Sequence, residues 1–268
     1  MLLADKTAII TGAAGGLGLA CARRLCENGA RVVLADIDQA RGEAAAAGLR
    51  AEGFTATYRP CDVTKRADIQ ALVDDAVTLH GRLDCAIANA GIVKVSDPLD
   101  ISDADFDAVL AVNLKGVFLT GQIAARQMMK QAPDAHGSRG TIINMSSVNA
   151  ILAIPEIAPY AISKGGVNQW TRTLGIRLAK EAIRVNAIGP GSIATELFKT
   201  VASSPDKYRA VLTRTPMGRA GRPEEVGDVA VFLASHLSSY MIGQTVYPDG
   251  GRMFLNYTVE APDPLPDV

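Results

Sequence analysis

Short runs of apolar and β-branched residues alternate along the chain with longer segments in which apolar residues recur every three or four positions. The short runs predict buried strands, and the longer segments predict amphipathic helices. The predicted strands are 6–11, 31–36, 55–60, 83–89, 140–146, 184–189 and 243–247, and the predicted helices are 17–28, 39–51, 65–79, 104–129, 160–179 and 223–234. This alternation predicts an α/β fold of the Rossmann type, a doubly wound seven-stranded parallel sheet with helices on both faces.

No shift in composition divides the chain, so we expect a single domain over residues 1–268. The irregular stretch 190–215 is predicted to be a lid over a substrate site. Residues 259–268 carry three prolines and predict an extended tail that is either solvated or laid on a neighbouring subunit. The helix around residues 110–119 is apolar on more than one face, which predicts burial against a second subunit as well as against the sheet.

Composition narrows the range of partners. The 268 residues are 48% hydrophobic and carry a formal net charge of -1, so a large core is expected and a nucleic-acid partner is not. No apolar run reaches about 18 residues and the start MLLADK does not resemble a leader, so we expect a cytoplasmic protein without a membrane partner. The four cysteines form no Cys-x-x-Cys pair and the three histidines lie far apart, so no metal site is expected.

A glycine-rich turn, Thr11 to Gly18, directly follows the first predicted strand and opens a helix. Backbone N–H groups and the positive end of the helix suit a pyrophosphate there, although such a turn can also serve tight strand-to-helix packing. Asp36 ends the second predicted strand, 18 residues after Gly18, where a carboxylate accepts hydrogen bonds from a ribose and repels a 2′-phosphate. No Lys or Arg lies within residues 13–17 to bind a 2′-phosphate, so NAD is favoured over NADP. The nearby Arg41 keeps NADP as an alternative.

Tyr160 and Lys164 lie four residues apart at the start of a predicted helix, so the phenol and the ammonium share one face. A nearby cation stabilises the phenolate and so is expected to lower the pKa of Tyr160 toward that of a general base. Ser147 ends a predicted strand, where ligands of open α/β sheets bind. Asn113 is a polar residue in an apolar helix, either a core asparagine or a site residue.

Two further polar positions follow predicted strands. Asn89-Ala90-Gly91 ends the fourth strand and Asp62 follows the third, where a small or polar residue lets the backbone approach an adenosine. Each of them can equally be a simple turn former.

Together these motifs resemble the short-chain dehydrogenase/reductase family over essentially the whole chain. The family pattern T-G-x-x-x-G-x-G appears at Thr11 to Gly18, N-A-G at Asn89 to Gly91 and Y-x-x-x-K at Tyr160 and Lys164. The active-site serine matches Ser147, the helix asparagine matches Asn113, and P-G-x-x-x-T and D-G-G appear at residues 190–195 and 249–251. One departure is Ala88, where the family often has an asparagine.

The resemblance implies catalytic roles for four residues: Tyr160 as acid/base, Ser147 holding the substrate oxygen, Lys164 binding ribose hydroxyls and lowering the Tyr160 pKa, and Asn113 anchoring a proton-relaying water. It also implies that Thr195 holds the nicotinamide amide. The cofactor-binding residues expected are Gly12, Gly15, Gly16, Leu17, Gly18, Asp36, Ile37, Asp62, Val63, Asn89, Ala90, Gly91, Tyr160, Lys164, Pro190, Gly191, Ile193 and Thr195. The substrate-binding residues expected by position are Ser147, Asn149, Ile154, Glu156 and Tyr160, with Lys94 as a further candidate.

The expected activity is therefore reversible hydride transfer between NAD and a secondary alcohol, in a homotetramer by family resemblance. The end of the chain is similar to glucose 1-dehydrogenase-like sugar and polyol dehydrogenases, while GRAGRPEEV and D-G-G are equally similar to 3-oxoacyl-carrier-protein reductases. Other possibilities are a sugar-nucleotide epimerase, which the glycine spacing and the length oppose, and a catalytically idle NAD-binding regulator, which the complete set of four catalytic residues opposes.

Overall fold

Seven parallel strands form one sheet in the computed structural model, which describes residues 1–196, 198 and 202–267. The strands are β1 Thr7–Thr11, β2 Arg31–Asp36, β3 Ala56–Pro60, β4 Cys85–Ala88, β5 Gly140–Met145, β6 Ile183–Ile188 and β7 Thr245–Val246. Their spatial order is β3-β2-β1-β4-β5-β6-β7. Because the strand order reverses between β1 and β4, a crevice opens at the carboxyl ends of these two strands, where ligands of such sheets bind.

Helices cover both faces of the sheet and create two cores. The helices are α1 Gly16–Glu27, α2 Gln39–Ala51, α3 Arg66–His80, α4 Asp103–Leu110, α5 Gly116–Met129, α6 Ala158–Leu178, α7 Pro205–Leu212 and α8 Pro223–Ala234. Along β2, Val32 and Leu34 pack with α1, α2 and α8, whereas Val33 and Ala35 pack with α3, α5 and α6. Side chains alternate between the two faces of a strand, so the five central strands serve both cores, whereas the edge strands β3 and β7 contribute to the first of them. The predicted fold class is confirmed.

The predicted helix 104–129 contains an irregularity at its centre. Helices α4 and α5 are joined by one turn of π-helix, Ala111–Lys115, with the fully buried Asn113 at its middle. The Asn113 side chain accepts a hydrogen bond from the Ile92 N–H at 2.8 Å and donates one to the Ile92 carbonyl at 2.9 Å. The π-turn therefore lies where the buried Asn113 amide is hydrogen-bonded to the loop after β4. Single π-turns within helices are frequent at functional sites.

The same long helix has an apolar composition. By length and mean hydropathy, residues 103–129 are able to cross a membrane, and no other helix in the described part of the chain is. However, 56% of the most apolar window is buried inside the fold. Burial of this kind is typical of the core helix of a globular domain.

Two expectations about irregular segments need correction. The predicted lid 190–215 contains α7, which Ser204 caps by accepting a hydrogen bond from the Lys207 N–H; residues 197 and 199–201 of the lid lie outside the described residues. We expect a tail that is solvated or lies on a neighbour, but Ala261 is buried against α7 of this chain, where it packs with Tyr208 and Leu212. Ala261 and Leu265, the apolar residues before and between the prolines, belong to the same apolar cluster.

Candidate active site

The glycine-rich turn leads from β1 into α1 with little space to spare. A Cβ atom on Gly12 would lie 2.7 Å from the Cα of Ala90, and one on Gly18 would lie 2.2 Å from the Gly12 carbonyl oxygen. Helix α1 begins at Gly16 with no side-chain cap and no acidic residue in its first turn. Its first N–H groups and the positive helix end therefore face the crevice without a side-chain acceptor, which fits a pyrophosphate.

Asn89 and Thr11 lock this turn to the loop after β4. The Asn89 side-chain amide donates hydrogen bonds to the carbonyls of Thr11 and Gly12 at 3.0 and 2.9 Å. The Thr11 hydroxyl accepts hydrogen bonds from the N–H groups of Asn89 and Ala90. The N-A-G sequence thus holds the shape of the glycine-rich turn, a role that strand-end position alone did not indicate.

Asp36 lies at the end of β2 beside the same turn. Its carboxylate accepts hydrogen bonds from the N–H groups of Ala14 and Asp38, both at 3.0 Å. These two bonds hold the carboxylate at the side of the turn where the ribose of a dinucleotide lies in this fold. A guanidinium nitrogen of Arg41 lies 2.8 Å from the position that a Cβ on Gly15 would occupy. Both an acid and a base thus flank the turn.

The four predicted catalytic residues converge at the carboxyl ends of β4 and β5. Ser147 follows β5, while Tyr160 and Lys164 lie on the first turns of α6. The Lys164 ammonium lies 5.4 Å from the centroid of the Tyr160 ring and donates a hydrogen bond to the Met145 carbonyl at 2.7 Å. The Ser147 hydroxyl lies close enough to the Tyr160 phenol to act against the rise of its pKa. A substrate oxygen near these hydroxyls could therefore contact both.

Burial controls the proton affinities of this group. It raises the pKa of the Tyr160 phenol above its usual value, and the interaction with Ser147 offsets this only in part. Burial also lowers the pKa of Lys164 to about 8. The pKa of Tyr160 is therefore raised in this arrangement, where the sequence led us to expect it to be lowered, because the desolvation of a phenolate outweighs the effect of Ser147. The phenol holds its proton near neutral pH, which suits a proton donor.

Asn113 and Lys164 face a common point beside Gly91. A Cβ atom on Gly91 would lie 3.4 Å from Asn113 Oδ1 and 3.7 Å from Lys164 Nζ. The absence of a side chain at Gly91 thus leaves both polar groups accessible from one small space. The proton-relaying water implied by the family resemblance remains a prediction, and this space is where it would fit.

Ser163 is a site residue that its sequence context did not single out. Its buried hydroxyl accepts a hydrogen bond from the Asn113 side-chain amide at 3.3 Å and donates one to the Tyr160 carbonyl at 2.6 Å. It therefore links the π-turn to the start of α6. The available signal was its spacing, because a residue three positions after Tyr160 lies on a similar face of the helix.

The remaining predicted cofactor residues occupy different environments. Asp62 accepts hydrogen bonds from the N–H and hydroxyl of Thr64, which lower the pKa of its carboxyl, so it forms a turn. Val63 is buried against α5 beside Gly116, whereas Ile37 is 74% exposed at the end of β2. Leu17 is half-buried in the first turn of α1. These contacts leave Ile37 the most accessible of the four.

The P-G-x-x-x-T segment continues from β6 along the same edge of the sheet. The Pro190 carbonyl accepts a hydrogen bond from the Val148 N–H at 3.1 Å, which ties the segment to the loop that carries Ser147. Gly191 packs closely on Asp249, since a Cβ on it would lie 2.8 Å from the Asp249 Cα. Ile193 is buried and pairs with Gly221, and the Thr195 hydroxyl accepts a hydrogen bond from the Phe198 N–H. The segment is thus held beside the catalytic loop.

The predicted substrate residues divide into two groups. Asn149 lies next to Ser147, whose hydroxyl oxygen accepts a hydrogen bond from the Asn149 N–H, and its buried Oδ1 has no hydrogen-bond partner among the described residues. Ile154 is half-buried nearby in sequence. Glu156 is exposed, and Lys94 is exposed in an ion pair with Asp105 at 3.1 Å. Lys94 and Glu156 therefore have the solvent-facing environment of ordinary surface residues.

Comparison with known proteins decides the family. A family model described as enoyl-(acyl carrier protein) reductase, of the short-chain dehydrogenase type, matches residues 12–252. The chain belongs to the short-chain dehydrogenase/reductase family. Members of this family are oxidoreductases that act on alcohol or carbonyl groups with a nicotinamide cofactor, and the glycine-rich turn, the uncapped α1 and Asp36 fit such a dinucleotide.

Relatives of this short-chain dehydrogenase/reductase have several activities. It is 40% identical over 254 residues to a 3-oxoacyl-[acyl-carrier-protein] reductase of Thermotoga maritima, with 94% of this chain and 99% of the relative covered. It is 37% identical to a glucose 1-dehydrogenase of Gluconobacter oxydans, with 92% of each covered. The structure of a gluconate 5-dehydrogenase from Burkholderia cenocepacia in complex with NADP and tartrate matches with a TM-score of 0.88 at 36% identity, covering 94% of this chain and 97% of that one.

Proposed function

We propose that this enzyme catalyses reversible, NAD-dependent hydride transfer at a secondary alcohol, with a sugar or polyol as the favoured substrate and Tyr160 as the acid/base. The observation that carries the proposal is the convergence of Ser147, Tyr160 and Lys164 at the carboxyl ends of the central strands. A hydroxyl pair beside a buried cation is the arrangement needed to hold and protonate one oxygen.

Each residue has a separate task. The bound nicotinamide accepts or supplies the hydride. The Ser147 hydroxyl donates a hydrogen bond to the substrate oxygen and orients it. Tyr160 gives its phenolic proton to that oxygen in the reduction. In the oxidation the phenol first loses its proton to solvent, and the phenolate then takes the proton of the substrate hydroxyl. Lys164, which stays mostly protonated near neutral pH because its pKa is about 8, stabilises the negative charge on this group of oxygens.

Asn149 supports a substrate with more than one hydroxyl group. Its buried Oδ1 lacks a partner among the described residues, and an unpaired buried acceptor costs free energy. A sugar or polyol has a second hydroxyl that can donate to this oxygen, whereas a simple secondary alcohol does not. The similarity to a glucose 1-dehydrogenase supports the same class.

A second candidate is a carbonyl reductase of the 3-oxoacyl-carrier-protein type, which the 40% identity to such a reductase favours. A third, of a different class, is an NAD-binding regulatory protein without turnover. The deciding experiment is a screen of NAD and NADP reduction over aldoses, polyols, hydroxy acids and simple secondary alcohols, with the oxidation of NADH and NADPH by an acetoacetyl thioester as further arms. We expect the highest turnover with a sugar or polyol and NAD. Turnover confined to the thioester with NADPH would favour the carbonyl reductase. Tight NADH binding without any turnover would favour the NAD-binding regulatory protein.

Asp36 is the residue on which the preference for NAD rests. Replacement by Asn keeps the size and one acceptor oxygen but removes the charge that repels a 2′-phosphate, leaving Arg41 uncompensated nearby. We expect the ratio of kcat/KM for NAD to that for NADP to fall at least tenfold, about 1.4 kcal/mol. Steady-state kinetics with both cofactors measures it.

Asp38→Asn is the matched control for this change. Asp38 lies two residues away and caps α2 by accepting a hydrogen bond from the Arg41 N–H, a function that Asn performs equally well. The cofactor ratio of this variant should stay within about twofold of the wild type. Equal shifts in the two variants would mean that general charge, rather than the position of Asp36, sets the preference.

We also propose that the enzyme is a cytoplasmic homotetramer without a nucleic-acid or membrane partner. An apolar groove of about 510 Å³ runs between α4, α5 and α6 and is lined by Leu110, Leu114, Phe118 and Trp170 among others. Light scattering should give four times the 28.1 kDa chain mass, and Leu110→Arg should reduce it, because a charge buried in an interface is costly. A monomeric wild type would contradict the proposal.

A further inference from the structure

A small apolar cluster joins the lid to the C-terminal tail, apart from the two cores of the sheet. Its buried members are Phe198, Tyr208, Leu212, Ala220 and Ala261, and Leu265 packs against them. Within α7, Tyr208 and Leu212 are the buried residues, and both belong to this cluster. The packing of the lid helix therefore depends on side chains that the tail supplies.

Polar and backbone contacts fix the tail along the lid. The Val259 N–H donates a hydrogen bond to the Thr213 carbonyl at 2.8 Å, just beyond the end of α7. The ring of Pro262 lies 3.0 Å from the position of a Cβ on Gly218. Asp263 lies 3.9 Å from the guanidinium of Arg209 on α7. The tail thus crosses both the helix and the turn that follows it.

The cluster connects directly to the segment beside the catalytic loop. The rings of Phe198 and Tyr208 meet edge to face with centroids 6.0 Å apart. The Phe198 N–H donates to the Thr195 hydroxyl, and the Ala194 N–H donates to the Gly221 carbonyl. A shift of α7 would therefore move the residues that follow Pro190-Gly191. This path links the tail to the predicted nicotinamide and substrate side of the site.

We propose that Ala261 and Leu265 are positioning residues for substrate binding: the tail holds the lid over the site and thereby sets the affinity for the alcohol. The tail lies beyond residue 252, where the match to the family model ends. The inference rests on the proposed function for its kinetic readout. Because the lid cluster is separate from both sheet cores, the tail should affect the lid without unfolding the domain.

The test compares Leu265→Ala with Leu79→Ala, which truncates an exposed leucine on α3. For Leu265→Ala we expect the KM for the alcohol to rise roughly tenfold while kcat changes less than about twofold, since lost lid packing weakens binding rather than the proton transfer. Trypsin should also cleave after Lys207 and Arg209 faster in this variant without substrate, because their helix loses its packing. Leu79→Ala should match the wild type in both assays.

A variant that ends at Thr258 provides the second measurement. It removes Ala261 and Leu265 together and should increase both effects, while the midpoint of thermal unfolding of the domain stays close to that of the wild type. Unchanged KM and unchanged trypsin cleavage in both variants would overturn the proposal. Because the trypsin assay needs no turnover, faster cleavage in a protein that oxidises no alcohol would support the tail's role while contradicting the proposed function.

Discussion

Tyr160→Phe is expected to lower kcat by roughly three orders of magnitude, within the range for loss of a positioned general acid/base. The change removes the phenolic hydroxyl that interacts with Ser147 and keeps the ring over which the Lys164 ammonium lies. Cofactor affinity should therefore stay within about threefold of the wild type, because the glycine-rich turn and Asp36 are untouched. Turnover is measured with the best substrate of the screen, and cofactor affinity by fluorescence titration with NADH.

The matched control for this variant is Tyr240→Phe. Tyr240 is fully exposed, so the same loss of a hydroxyl should leave kcat, KM and stability unchanged. If Tyr160→Phe retained turnover within a few-fold, the proton would have another source, and the assignment of Tyr160 as the acid/base would be wrong. Lost NADH binding together with lost turnover would instead assign Tyr160 to the binding of the cofactor.

Gly18→Ala is expected to abolish measurable NAD binding and to lower the free energy of unfolding by about 2–3 kcal/mol. The added Cβ would lie 2.2 Å from the Gly12 carbonyl oxygen and 2.6 Å from the Asn89 side-chain amide. Both groups belong to the hydrogen-bonded junction that shapes the turn, so neither can move without breaking it. Calorimetric titration with NAD and urea unfolding measure the two effects.

Gly48→Ala gives the matched control for added volume at a glycine. Gly48 is exposed within α2, and a Cβ there would meet no atom within 4 Å. Alanine is the better helix former, so this variant should be more stable by about 0.5–1 kcal/mol and bind NAD normally. A Gly18→Ala protein with normal NAD affinity would show that the turn tolerates the displacement, and close backbone approach would no longer explain this glycine.

The strands and most helices could be predicted from local pattern. β5 was predicted at 140–146 and is found at Gly140–Met145, because its buried positions are continuous in the sequence. β7 was predicted at 243–247 but comprises only Thr245–Val246. As an edge strand it pairs with β6 alone, so its length is decided by its neighbour rather than by its own residues.

The lid helix and the tail were harder to predict. Ser204-Pro205 is a start signal for α7, but the helix is short and its packing depends on Ala261 and Leu265, which lie far along the chain in the C-terminal tail. The three prolines predict an extended tail. They did not indicate what the tail lies on, because this depends on which surface presents a complementary apolar cluster.

The sequence by itself determined the fold class and the glycine-rich turn, since each of these follows from local spacing and residue chemistry, and the resemblance of its motifs to a known family supplied the candidate catalytic residues. The tertiary structure alone decided the direction of the Tyr160 pKa, the π-turn at Asn113 and the place of the tail. The physical reason is that desolvation and packing depend on atoms brought together from distant parts of the chain. Asn113, for example, is hydrogen-bonded to Ile92 and Ser163, which lie 21 and 50 residues away in the sequence.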